Sequence, residues 1–207
     1  MNRIASIYSF IDVDDKVVDV GCDQAKLSLM LAKRGQHSIA SDVSVNVIDR
    51  AKHDIGNNKY ISLRVSDGLS NIKENEADTL VLSGMGTHTI LKILKNTNLR
   101  FKKIITISNN YHDILRKNML DLNYIVDSEL IILENNKYYN LIVFKEGTTK
   151  YSESEIVFGL NHKDKDLYIK YLNFLYNKYL DINKKANSKN KKINNYLKLI
   201  NEIMSNL

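Results

Sequence analysis

The stretch Lys16-Val17-Val18-Asp19-Val20-Gly21-Cys22-Asp23-Gln24-Ala25 decides how the rest of the chain is read. Val17, Val18 and Val20 are β-branched, which suits a strand covered on both faces of a parallel sheet. Gly21 stops that strand, because a residue without Cβ lets the backbone turn sharply and approach a ligand closely. Leu27, Leu29, Met30 and Leu31 then give a buried side to a helix expected from Gln24 to Arg34. Strand, glycine turn and helix make half of a nucleotide-binding unit.

Working outward, a second strand over Ser38 to Ala40 ends at Ser41 and Asp42. Asp42 stands 21 residues after Gly21, the spacing at which an acid ending the second strand accepts hydrogen bonds from ribose hydroxyls. It can equally cap the helix expected from Val43 to Ile55, as can Ser44. Three more strands follow: Tyr60 to Val65, turning at Ser66-Asp67-Gly68; Thr79 to Leu82, turning at Ser83-Gly84-Met85-Gly86-Thr87 before a helix from Thr89 to Leu94; and Lys103 to Ile107, turning at Ser108-Asn109-Asn110. One polar loop end is ordinary turn chemistry. Five in order, on the carboxyl edge of an open parallel sheet, mark where a ligand binds. Tyr124 to Leu133 and Lys137 to Phe144, joined by Glu134-Asn135-Asn136, read as an antiparallel hairpin. Five βα units and a hairpin form the chain order of a Rossmann-like class I methyltransferase domain, here expected over residues 1–147, in the α/β class.

Residues 148–207 read differently. Tyr168, Leu172, Leu175, Tyr179 and Ile182 step by 4 and 3, as do Ile193, Leu197, Ile200, Met204 and Leu207. Two such helices predict a coiled-coil-like antiparallel pair. Lys184, Lys185, Lys189, Lys191 and Lys192 crowd its connection with no acid among them. They read either as a solvated turn or as phosphate contacts. At the other end, residues 1–9 predict a short amphipathic helix whose Arg3 is either a solvated charge or a cap on the ligand site.

The 207 residues carry a formal charge of +6, with 43% hydrophobic and 26% charged residues. That composition is globular, and the basic balance favours a polyanionic partner. No run approaches the roughly 18 apolar residues of a membrane helix, and the first residues lack a signal-peptide pattern, so a cytoplasmic location is expected. The lone Cys22 cannot form an internal disulfide and reads as a small buried side chain. His37, His53, His88, His112 and His162 lack metal-ligand spacing, so no metal is expected. The Gly21 loop has no G-x-G-x-x-G, and no Walker A lysine motif occurs, which disfavours a pyrophosphate cradle. A nucleoside cofactor, S-adenosyl-L-methionine, needs only close approach at Gly21, a ribose acceptor at Asp42 and an adenine contact, for which Asp67 can accept from the exocyclic amine.

Arg3-Ile4-Ala5-Ser6, Val18-Asp19-Val20-Gly21-Cys22-Asp23, Ala40-Ser41-Asp42, Asp67-Gly68-Leu69 and Gly84-Met85-Gly86, with Tyr139 in the hairpin, resemble the bacterial tRNA (adenine(22)-N(1))-methyltransferases over about residues 1–147. The resemblance implies transfer of a methyl group from S-adenosyl-L-methionine to ring nitrogen 1 of an adenine in tRNA, with the helical extension gripping the RNA, and a monomer is favoured. It implies a cofactor pocket lined by Gly21, Cys22, Asp23, Asp42, Asp67, Gly68 and Ser83 through Met85 to Gly86, with Arg3 near it. Asp23 and Asn110 are the candidates to bind the exocyclic amine of the target adenine. Tyr111 either stacks on that base or packs at a helix start. Three positions depart from the family: Gln24 stands where members carry His, Thr87 where they carry a second Gly, and Ser108-Asn109-Asn110 where they carry Gln-Pro-Asn. Methylation of another substrate and a non-catalytic RNA-binding module are the alternatives.

Overall fold

The computed structural model describes residues 1–185 and 190–206. Lys189 and Leu207 lie outside the described residues. Seven strands form one sheet: β1 (Val17–Val20), β2 (Ser38–Asp42), β3 (Ile61–Val65), β4 (Thr79–Met85), β5 (Lys103–Ser108), β6 (Tyr124–Glu134) and β7 (Lys137–Glu146), in the order β3-β2-β1-β4-β5-β7-β6. The first five run parallel, and β7 pairs antiparallel with β5. The hairpin turns through Asn135 and Asn136 at φ +50° and +59°, the two left-handed residues of a tight hairpin whose twist matches its strands.

Alternation along the strands separates two cores. Val18, Val20, Leu80, Leu82 and Ile104 face α4 (Thr87–Lys95) and α5 (His112–Asp121). Val17, Val81, Ile105 and Ile107 face α1 (Arg3–Ser9) and α2 (Lys26–Lys33). Helix α3 (Val45–Ile55) covers the outer strands through Ile48 and Ala51 against Ala40. The chain leaves β1 for β2 and β3 on one side and returns to β4 and β5 on the other. The carboxyl ends of β1 and β4 therefore flank the topological switch point, where open sheets bind ligands.

Several boundaries differ from the sequence expectation. Helix α2 begins at Lys26 rather than Gln24, and β4 continues through Gly84 to Met85, with a register shift between Ser83 and Met85. Helix α6 (Glu153–Phe158) is absent from the sequence reading. Its start carries a capping box in which Ser152 and Glu155 satisfy each other's backbone amides.

The helical pair is α7 (Lys165–Lys185) and α8 (Lys191–Ser205). Tyr168, Leu172 and Ile200 pack with Phe158 against Ile131 of β6. The expected seam is displaced at its ends: Ile182 is 38% exposed while Asn183 is buried and donates to Asn194 Oδ1 at 2.6 Å. On α8, Tyr196 and Ile203 join the packing in place of Leu197. Helices drift from a strict 3.5-residue repeat, so the buried stripe shifts by one position along a straight helix.

One buried ion pair ties this extension to the sheet. Arg116 of α5 meets Glu129 of β6 through Nε–Oε1 at 2.8 Å and Nη2–Oε2 at 2.6 Å, with both side chains 1% exposed. Arg116 Nη1 donates to the Ile156 carbonyl of α6, and the Leu160 amide donates to Glu129 Oε1. A Cβ at Gly159 would come within 2.5 Å of Glu129 Oε2. Among the described residues no helix is long and apolar enough to cross a membrane. Breaking the pair with Glu129→Gln leaves a buried guanidinium uncompensated and is expected to cost about 3–5 kcal/mol. Replacing both partners with Met and Leu is expected to cost far less, measured by urea unfolding.

Candidate active site

The turn after β1 is held by one carbonyl of β2. The amides of Gly21 and Cys22 both donate to Ser41 O, at 2.8 and 3.0 Å, and Ala25 N donates to Cys22 O at 2.8 Å. Gly21, Asp23 and Ala25 all take positive φ, at +79°, +48° and +49°. This alternating left-handed backbone delays α2 to Lys26. Gly21 suits this turn because L-residues disfavour its φ, and a Cβ there would stand 3.0 Å from the movable Met85 Cε. Met85 reaches that point because the irregularity between Ser83 and Met85 carries it to the end of β4.

A cavity of about 650 Å³ opens beside this turn. Of the sequence candidates, Gly21, Asp42, Asp67, Gly68 and Met85 line it, and α4 supplies a wall through Thr89, Lys92 and Ile93. Asp42 does not cap α3, whose N-cap is Ser44. Its Oδ1 accepts from Ser44 N at 2.9 Å, and Ser44 makes no side-chain cap. Asp67 is exposed, and its carboxylate has no hydrogen-bond partner among the described residues. Cys22, Asp23, Ser83, Gly84 and Gly86 adjoin the cavity in sequence without lining it. Arg3 stands apart: its Nε meets Glu134 Oε2 at 2.6 Å, and its guanidinium lies 4.4 Å from the Tyr139 ring centre.

Across the edge, the loops after β4 and β5 are laced together. Asn109 donates from its amide to Met85 O and from Nδ2 to Gly84 O, at 3.0 and 3.1 Å. Asn110 Oδ1 accepts from Thr87 N at 3.3 Å, and the Thr87 hydroxyl donates to Asn110 O. Tyr111 precedes α5 in a left-handed conformation, φ +52°; the residue is 54% exposed, and its ring centre lies 5.7 Å from that of His88. Asn110 and Tyr111 are thus adjacent and facing solvent, on the same edge as the cavity.

Residues 1–142 match the family described as a methyltransferase domain. The chain belongs to that family. It is 29% identical over 153 residues to the tRNA (adenine(22)-N(1))-methyltransferase of Bacillus subtilis, a match covering 70% of this chain and 64% of that protein's length. Among solved structures, M. capricolum TrmK in complex with S-adenosyl-homocysteine superimposes with a TM-score of 0.85 at 27% identity, covering 99% of this chain and 97% of the other. Streptococcus pneumoniae Sp1610 in complex with S-adenosyl-L-methionine superimposes with a TM-score of 0.85 at 25% identity, covering 97% of each chain.

Within this methyltransferase domain the electrostatics single out a residue to which sequence reasoning assigned no role. Asp19, buried in β1, has its carboxyl pushed from the ordinary 3.8 to about 7, by burial first and by the nearby Asp42 charge second. An acid inside an otherwise apolar strand was the available signal. The same two acids act on Cys22, whose thiol is pushed up to about 12 by burial, then by Asp19 and Asp42; it is a packing residue, not a nucleophile. Thr87, in the sequence only a departure from the family, has its partners on another loop, as does His88, whose ring neighbours Tyr111. Lys184 and Lys185 end α7, and Lys191 and Lys192 begin α8, all exposed. Tyr196 and, more weakly, Asp113 of α5 raise the Lys192 pKa. Among the described residues no group of three or more His, Cys, Asp or Glu is placed to hold a metal ion.

The raised Asp19 pKa has a stability consequence of definite sign. The folded chain retains a proton that the unfolded chain releases, so this contribution is complete below about pH 4 and is lost as pH rises to about 7. Asp19→Asn removes that loss. Urea unfolding at pH 4.5 and pH 8 is expected to show a pH-dependent component on the order of a few kcal/mol in the parent that is missing from Asp19→Asn.

Proposed function

We propose that this chain is a cytoplasmic tRNA methyltransferase that transfers a methyl group from S-adenosyl-L-methionine to ring nitrogen 1 of adenine 22. The observation that carries the reading is the placing of two carboxylates, Asp42 and Asp67, with Gly21 on one cavity wall at the switch point. That donor set suits a nucleoside: two acceptors for hydroxyls and an amine, and a backbone turn without a Cβ. The cavity is roomy enough for a cofactor of this class. The choice of tRNA and of adenine 22 rests on likeness to the Bacillus subtilis enzyme.

When bound, S-adenosyl-L-methionine supplies an electrophilic methyl group. In this reading Asp42 accepts from the ribose hydroxyls, Asp67 accepts from the exocyclic amine of the cofactor's adenine, and Met85 closes the wall behind Gly21. Ring nitrogen 1 of the target adenine already carries its lone pair, so no residue has to remove a proton before attack. The protein's task is orientation, which is worth on the order of 7–11 kcal/mol when reactants are well aligned. Because that nitrogen lies on the base-pairing edge, the nucleotide is taken out of its stack. Tyr111 offers an exposed ring for it, and Asp23 and Asn110 offer acceptors for its exocyclic amine. A carboxylate at Asp23 also favours the positive charge that develops on the methylated base.

Residues 1–147 then hold cofactor and chemistry, and residues 148–207 grip the RNA. Lys191 and Lys192 in the first turn of α8 support this division. Cations at a helix N-terminus oppose the helix dipole, a cost that a phosphate there offsets.

Incubation of the full chain with unmodified tRNA and labelled cofactor is expected to place one methyl group at adenine 22. Label on protein, on small molecules or at another nucleotide would remove the tRNA assignment. Gly21→Ala is expected to abolish binding of S-adenosylhomocysteine in a calorimetric titration, and no binding by the parent chain would remove the enzyme reading. Replacing Lys184, Lys185, Lys189, Lys191 and Lys192 with Gln is expected to weaken tRNA binding and flatten its salt dependence with cofactor affinity intact. An unchanged salt slope would make those lysines solvent-facing charges only.

A further inference from the structure

Helix α4 begins with a problem that another loop solves. Its N-cap is Gly86, which has no side chain to satisfy the first free amides and makes no cap bond. Asn110, from the loop after β5, supplies the missing acceptor: its Oδ1 receives the Thr87 amide at 3.3 Å. Thr87 returns the contact, because its hydroxyl donates to the Asn110 carbonyl and lies 3.4 Å from the Tyr111 carbonyl. The Thr87 side chain is fully buried, so no water competes for that hydroxyl. Ser108 Oγ also donates to the Asn110 carbonyl, at 3.3 Å.

The consequence reaches the residues that face the target base. Tyr111 is a non-glycine residue at φ +52°, a conformation that persists only when its surroundings hold it. The chain contains no proline, so no ring locks the backbone of residues 108–111. What holds the loop is hydrogen bonding, and Thr87 anchors the peptide between Asn110 and Tyr111. With Oδ1 engaged, Asn110 has its side-chain plane set, and the αL turn aims the Tyr111 ring outward beside His88.

We propose that Thr87 is a positioning residue that holds Asn110 and Tyr111 in the geometry receiving the flipped adenine, through its buried hydroxyl as well as its amide. This rests on the tRNA methyltransferase reading above. It predicts a split between chemistry and cofactor binding, since Thr87 does not line the cavity.

The test compares the full-length parent with Thr87→Val, which keeps the shape and removes the hydroxyl, and Thr87→Ser, which keeps the hydroxyl. Single-turnover methylation of unmodified tRNA is expected to slow by about tenfold to a hundredfold in Thr87→Val, the scale of a small misplacement at a reacting centre. The dissociation constant for S-adenosylhomocysteine stays at the parent value. Hydrogen exchange at the amides of residues 109–112 speeds up in Thr87→Val, and Thr87→Ser restores both rate and protection. A Thr87→Val protein that methylates at the parent rate, or a Thr87→Ser protein as impaired as Thr87→Val, overturns the proposal. If the parent methylates no tRNA, the functional reading fails, and the exchange comparison alone decides whether Thr87 holds the loop.

Discussion

Two backbone amides share one acceptor at the centre of this molecule: Gly21 and Cys22 both donate to the carbonyl of Ser41. That arrangement ends β1 and fastens its turn to β2, so that Asp42, the next residue after the acceptor, emerges beside Gly21. A donor pair converging on one carbonyl needs the chain to curl, and the positive φ values at Gly21, Asp23 and Ala25 are that curl. The strands on either side then diverge at the switch point, and the cavity is the space left between their loops. Without the shared carbonyl, β1 and β2 would still pair, but their ends would not present an acid and an open backbone to one ligand.

Two buried ionic features among the described residues differ in what surrounds them. Arg116 and Glu129 are both almost completely inaccessible, yet each meets the other twice, and backbone groups of residues 156 and 160 take up further donors and acceptors. A buried pair so satisfied acts as a joint, fixing α5, β6 and α6 in one arrangement. Asp19 has no such partner among the described residues, and the charge that acts on it is the repulsive one of Asp42. Unrelieved burial of a carboxyl beside a second acid costs stability, and it occurs here at the ligand edge, where perturbed groups concentrate. The extension is therefore held by satisfied charges, while the functional edge carries unsatisfied ones.

Packing also decides where the basic turn goes. Because Tyr168 and Leu172 anchor α7 on β6, and Tyr171 and Phe174 meet Tyr138 near the start of β7, the helix is directed past the edge that carries the β4 and β5 loops. Lys192 lies over the Tyr196 ring, which in turn meets Tyr179 of α7.

The sequence by itself determined the five parallel strands, the hairpin, the switch-point glycine and the acids that follow β2 and β3. Each rests on local physics: β-branched runs, a residue lacking Cβ, polar strand ends and a hydrophobic period of two or three and a half. It also placed the helical pair, though not its true seam, since neighbours choose which stripe of a helix is buried. Only the tertiary structure decided that Arg3 binds Glu134 instead of lining the cavity, that Asp19 is a stressed acid, and that Thr87 and Asn110 hold each other. Those outcomes depend on residues 23 or 131 positions away or on burial from several elements at once, and pairings of that range leave no periodicity in the chain to read.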